Sequence, residues 1–283
     1  MIRTVFVPLA EALSSSLLLD AALLVAKRTQ AHIRAMYIRP EPEAALADIP
    51  DIVIAAGVTW EAVECESRRV AALEKTRFEE WQARHNIPIN RGARLDGWYA
   101  TWTDKLGEIE AVVARFGRVS DLVVVQRPAP GSRIAQRSFD AAVFESGRPA
   151  LVVPERPPSD ITDHVLIAWS GSLEASRAVF GAMPLLRLAK CVTIFTAQRK
   201  NAESADAGDL ADALSSHGIR AELIGSASSG RSTGETLIDA ATARRATLIV
   251  MGAYTHSRLR QSFLGGVTRH LLAHAPVPLL MSH

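Results

Sequence analysis

His164-Val-Leu-Ile-Ala-Trp169, the helical-period stretch Leu173 to Met183, and Cys191-Val-Thr-Ile-Phe-Thr196 together decide the fold. An unbroken apolar run, a segment with apolar residues at helical spacing and a second β-branched run read as strand, helix and strand. Runs that do not alternate with polar residues belong to strands covered on both faces, which is the signature of a parallel sheet with crossover helices. The rhythm continues with a polar helix over Ala205 to His217, a strand at Arg220 to Ile224 and a helix at Glu235 to Arg244. A strand at Thr247 to Met251, a helix at Val267 to His274 and a strand at Val277 to Met281 complete it.

The first half repeats this order with additions. It predicts a strand at Thr4 to Pro8, a helix from Ser15 to Thr29 and a strand at His32 to Ile38. A Pro- and Ala-rich insertion runs to about Thr59, followed by an amphipathic helix over Ala62 to His85. A strand near Pro88 to Ala93, a helix over Asp104 to Phe116, a strand at Asp121 to Val125, a helix at Phe139 to Glu145 and a strand at Ala150 to Val153 follow. Ser120-Asp-Leu-Val-Val-Val125 superimposes on Ala246-Thr-Leu-Ile-Val-Met251, and Arg148-Pro-Ala-Leu-Val-Val-Pro154 on Val277-Pro-Leu-Leu-Met281 in its rhythm of proline then apolar run. A repeat of this length is a duplicated domain rather than a solenoid. The expected division is therefore residues 1–156 and 161–283, joined by the proline-rich stretch from Pro154 to Asp160.

Composition sets limits on function. Of 283 residues, 48% are hydrophobic and 22% charged, which is the balance of an ordinary globular core. The formal net charge of +2, without a polybasic run, gives no electrostatic reason to expect nucleic acid or an anionic membrane as partner. The two cysteines, Cys65 and Cys191, are far apart and outside any His/Cys cluster, so no disulfide framework or zinc site is expected. No apolar stretch reaches bilayer length, and the first residues meet Pro8 and Glu11 too early for a signal peptide, so the expected location is cytoplasmic.

Ligands of open parallel sheets sit beyond the carboxyl ends of the strands, so the loops after the strands are where to search. The most informative runs from Met251-Gly252 through Thr255, His256, Arg258 and Arg260 to Gly265-Gly266-Val267-Thr268, where a helix opens. Glycines flanking a basic, hydroxyl-rich loop at a helix start let backbone N–H groups approach a phosphate. This spacing resembles the G-x2-G-x9-G-[S/T] signature of the universal stress proteins, and His274-Ala-Pro-Val-Pro-Leu-Leu280 is similar to that family's last helix-to-strand junction. The βαβ order agrees over residues 161–283. Residues 1–156 resemble the family in element order and in their closing strand.

The resemblance implies two tandem doubly wound five-stranded parallel-sheet domains of the adenine-nucleotide alpha hydrolase-like class. It also implies that ATP or a related adenine nucleotide, with Mg as its companion ion, binds the second domain of a stress protein that is not an enzyme or is at most a weak ATPase. Gly252, Gly265, Gly266 and Thr268 then line the triphosphate. Ser170 stands where relatives place an acid for the ribose or adenine. His256, Arg258, Arg231 and Ser232 are the available anion contacts, and Thr196, Met251 and Val267 complete the set. Thr255 and Gly266 depart from the signature, the first where glycine and the second where a hydroxyl is usual. Pairing of two such domains through their last strands is implied within the chain, with a homodimer and an unidentified protein partner as further expectations.

Other readings compete. Gly225 to Ser232 approaches a P-loop with Arg231 in place of lysine, but a polar connector is the simpler account. Ser170, Asp239 and His256 follow the chain order of α/β-hydrolase triads without the flanking glycines. A nucleotide-free scaffold on the same fold is the main alternative. His270 and His274 lie one turn apart without a third ligand, and Trp98 and Trp102 suggest a lid or partner surface, with core packing the commoner use of indole rings. The first half, with Gln126-Arg127 and two prolines in the corresponding loop, reads as a copy without the nucleotide site.

Overall fold

A computed structural model describes residues 1–10, 15–41, 59–88, 97–129, 131–156, 159–197, 207–225, 231–253 and 266–283. In the first unit β1 (Thr4–Leu9), α1 (Ser15–Thr29), β2 (His32–Arg39) and α2 (Trp60–Arg84) lead to β3 (Tyr99–Leu106). There follow α3 (Ile109–Arg118), β4 (Leu122–Gln126), α4 (Arg133–Asp140), a π-helical turn (Ala141–Glu145) and β5 (Ala150–Val153). The second unit is β6 (His164–Trp169), α5 (Leu173–Leu186), β7 (Cys191–Thr196), α6 (Ala207–Ser216) and β8 (Ala221–Gly225), then α7 (Thr233–Ala243), β9 (Leu248–Gly252), α8 (Gly266–His274) and β10 (Leu279–Ser282). The architecture is α/β, in two tandem doubly wound units.

The third strand differs from expectation. It lies at Tyr99–Leu106, later than Pro88 to Ala93, most of which is outside the described residues. It takes Asp104, expected to begin a helix, and α3 starts only at Ile109. Tyr99, Thr101, Trp102 and Thr103 are aromatic and β-branched residues that favour a pleated surface, and in register with β2 they outweigh the helical reading. Trp102 is no lid. It stacks with Tyr37 at 6.0 Å and meets Phe78 at 5.4 Å. The helix expected at Phe139 to Glu145 begins earlier, at Arg133, capped by the Ser132 hydroxyl, and turns π-helical at Ala141. The 40–59 insertion falls almost wholly outside the described residues.

The ten strands form one sheet in the order β3-β2-β1-β4-β5-β10-β9-β6-β7-β8. Within each unit all pairs are parallel, whereas β5 and β10 meet antiparallel with Leu279 opposite Val152, Leu280 opposite Leu151 and Met281 opposite Ala150. The repeat is visible in single hydrogen bonds. Asp121 N donates to Thr4 O as Thr247 N does to His164 O, and Val123 N to Pro149 O as Ile249 N does to Pro278 O. Successive residues of the central strands alternate between two cores. Leu151, Val153 and Leu280 join α1, α2, α5 and α6 on one face, and Val152, Leu279 and Met281 join α3, α4, α7 and α8 on the other. Both cores therefore run across both units.

Other contacts secure the joint. A Cβ at Gly181 of α5 would lie 2.6 Å from Pro149 Cγ, so the helix backbone rests on the proline that leads into β5. Arg127, just past β4, donates from Nη2 to Ala275 O at the end of α8 at 2.5 Å. A cation at a helix C-terminus meets the negative end of its dipole. The outer strands carry charges that discourage further pairing. Asp104 on β3 is held by Arg39 Nε at 2.8 Å, and Glu222 on β8 by Arg244 Nη2 at 2.8 Å.

At the start of β1 the Asp121 carboxylate accepts the N–H of Arg3 (2.8 Å), the N–H of Thr4 (2.9 Å) and the Thr4 hydroxyl (3.1 Å). Burial works against its charge, but these bonds and the nearby Arg148 outweigh it and hold the carboxyl below its ordinary range. A folded-state pKa below the unfolded value adds stability that is present above about pH 4 and is lost as pH falls through the folded value. Asp121→Asn is expected to lower stability at pH 7 by on the order of 1 kcal/mol, discounted for partial exposure. In urea titrations against wild type, that difference should shrink as pH is lowered below about 4. Truncation at the joint tests its packing. Leu280 is fully buried opposite Leu151, and Leu280→Ala should cost about 2–5 kcal/mol in a single calorimetric transition involving both units.

Candidate functional site

In the second unit the strand order reverses between β6 and β9, the strands that α5 and α8 follow in the chain. After β6, Gly171 adopts φ 71°, a left-handed turn that favours glycine. Ser172 then caps α5, its hydroxyl accepting from Ala175 N at 3.2 Å, with Glu174 in the first turn. After β9, Gly252 is pressed on that same first turn. A Cβ there would lie 2.6 Å from Ala175 N and 2.8 Å from the Glu174 carbonyl carbon. Backbone cannot yield as a flexible side chain can, so the start of α5 dictates glycine at 252 whether or not a ligand is present.

The other candidate residues fall into different surroundings. Ser170 is exposed at the tip of β6, and Thr196 is half-buried at the end of β7. Met251 is 4% exposed and packs in the core. Ser232 is committed to a capping box on α7. Its hydroxyl accepts from Glu235 N at 3.3 Å and donates to Glu235 Oε2 at 2.8 Å, while its N–H reaches the same oxygen at 2.9 Å. The N–H bond first, and then the hydroxyl, hold the Glu235 carboxyl below its usual range. Arg231 forms an ion pair with Asp239. Thus Ser232 is engaged in the cap of α7, and Arg231 is held in an exposed ion pair.

Helix α8 opens at the exposed Gly266, where an added Cβ would meet nothing within 4 Å among the described residues. Val267 is half-buried, and Thr268 is buried at 6% exposure. Thr255, His256, Arg258, Arg260 and Gly265 lie outside the described residues. So does the triad histidine of the hydrolase reading, whose aspartate is the one paired with Arg231. The His270 and His274 rings stack at 4.5 Å, and no group of three His, Cys, Asp or Glu among the described residues is placed to hold a metal.

One group escaped the sequence reading. Trp169 packs on the core shared with α5 and α6, yet its indole Nε1 is buried without a hydrogen-bond partner among the described residues. An aromatic residue closing a strand signals packing, and nothing in its neighbours shows whether the N–H is satisfied.

The model of the universal stress protein family matches residues 162–283. No curated protein sequence matches the chain. A universal stress protein from Archaeoglobus fulgidus is similar in structure over 98% of this chain and 97% of its own, with 14% identity and a TM-score of 0.71. A universal stress protein described as putative, from Pseudomonas aeruginosa, covers 99% and 92% at 14% identity and a TM-score of 0.52. The cytoplasmic domain of a prokaryotic cation chloride cotransporter covers 100% and 96% at 12% identity and a TM-score of 0.50. At such identities the likeness is one of fold, and it extends over both units. No helix among the described residues is long and apolar enough to cross a membrane.

The close approach at Gly252 can be tested directly. Gly252→Ala is expected to destabilise the chain by about 1–3 kcal/mol, measured by thermal or urea unfolding, because the new methyl must displace the first turn of α5.

Proposed function

We propose, from the match of the universal stress protein family model to residues 162–283, that the chain is a regulatory protein whose second unit binds ATP or a related adenine nucleotide without being a dedicated enzyme. The observation that carries this reading is the convergence at the switch point. The close approach at Gly252, the exposed Ser170 and the exposed start of α8 at Gly266 share one sheet edge. The first N–H groups of α8 and the positive end of its dipole suit a phosphate, and glycine at 266 leaves room for one. Ser170 offers a neutral hydroxyl to the sugar or base, where a carboxylate would bind more strongly. The cap bond of Ser232 and the exposed Arg231–Asp239 pair compete with two further contacts. Modest affinity follows. Any Mg is carried by the phosphates themselves.

The same commitments favour a second reading, in which the fold serves domain pairing and partner contact with no nucleotide. Calorimetry with ATP, combined with mass spectrometry of co-purified small molecules, separates the two. In wild type ATP should bind, and Gly266→Trp, which fills open space rather than core, should weaken binding by at least about tenfold, or ~1.4 kcal/mol, with an unchanged melting profile. Absence of nucleotide and of binding heat in wild type would leave the scaffold reading standing.

A further inference from the structure

The first unit contains a cavity of about 310 Å³ at the opposite edge of the sheet, between the start of α1 and the face of α2, with Leu9 at the tip of β1 in its wall. Its volume is at the small end of ligand cavities. Three rings wall it, Phe78, Trp81 and Trp102, with Phe78 centred 5.7 Å from Trp81 and 5.4 Å from Trp102. The Trp81 N–H is already donated to Asp20 Oδ1 at 2.8 Å. Deep in the wall, the buried Glu74 accepts the Ser15 hydroxyl at 2.8 Å and pairs with Arg77, so its charge is answered within the protein.

The mouth is different. Helix α2 pairs its charges repeatedly: Glu64 with Arg68, Glu66 with Arg69, Glu74 with Arg77 and Lys75 with Glu79. Glu80 and Arg84 have the same i,i+4 spacing as Glu64 and Arg68, both line the cavity, and neither has an ion-pair partner among the described residues. An anion alone would be opposed by Glu80, and a cation alone by Arg84. A ligand bearing both charges close together, on an apolar body, satisfies mouth and walls at once. We propose that this cavity binds a free α-amino acid with an aromatic or large apolar side chain, its ring among Phe78, Trp81 and Trp102, its ammonium on Glu80 and its carboxylate on Arg84.

The test is calorimetry on the full chain with L-phenylalanine as probe, alongside phenylacetate and phenethylamine, each of which lacks one of the two charges. L-phenylalanine should bind, and each half-probe should bind at least about tenfold more weakly. Glu80→Gln and Arg84→Gln, both at exposed positions, should weaken L-phenylalanine to a similar degree with unchanged melting. Ser16→Trp, at the exposed rim, should block the mouth and abolish binding. The proposal is overturned if wild type gives no binding heat with L-phenylalanine, or if binding persists in Ser16→Trp. Equal binding of phenylacetate and the amino acid would also overturn it. None of these readouts involves nucleotide, so its fate is independent of the second unit.

Discussion

Three residue pairs between β5 and β10 are the constraint on which the rest of the molecule depends. A five-stranded unit that ended at β5 or at β10 would leave an apolar strand unpaired along one side, with its backbone donors and acceptors exposed to other chains. Joining the two strands satisfies those groups and turns two sheets into one. Because successive side chains of β5 and β10 enter opposite cores, the same short pairing also fuses the packing on both faces. Pro149 beneath Gly181, and Arg127 against the end of α8, then fit around a joint already fixed by backbone geometry.

The two copies have put equivalent loops to different uses. After β9 the chain leads through a glycine toward the open start of α8. After β4 the same position holds Gln126, and the next residue reaches across the joint to a carbonyl of the other unit. Arg127 is largely desolvated there, which pulls its pKa down, and its Nε has no partner among the described residues. A group kept in so costly a position reflects the value of the contact made by its Nη2. The segment after β4 thus serves the joint between the two units.

The sequence displayed the fold well where strands are buried on both faces. β6 and β7 agree with the apolar runs residue for residue, because continuous burial leaves little latitude. It failed at β3, an edge strand with half its residues exposed, where Asp104 and Lys105 read as helix formers and only pairing with β2 makes them strand. The candidate site was legible as glycine spacing, but spacing does not reveal why a glycine is present. Gly252 is required by the backbone of α5, a contact between segments distant in sequence, whereas Gly266 faces space. Nor could composition show that Ser232 and Arg231 would be consumed by their own helix, although Ser232 and Glu235 stand at capping-box spacing. Glu74 was the missed clue to the first-unit cavity, since it interrupts the apolar stripe of Ala71, Phe78 and Trp81.

The antiparallel meeting of β5 and β10 has an evolutionary side. Two parallel-stranded units joined head to head send their loop-bearing ends to opposite borders of one sheet, as far apart as the molecule allows. Changes accumulating along one border then alter no side chain on the other, while both borders draw on a single shared core. Two units arranged in this way let one set of loops stay constant while the other is remodelled. The 25-residue α2 and the short connection from β4 to α4 belong to the first unit, and the stretch matched by the family model, residues 162–283, to the second.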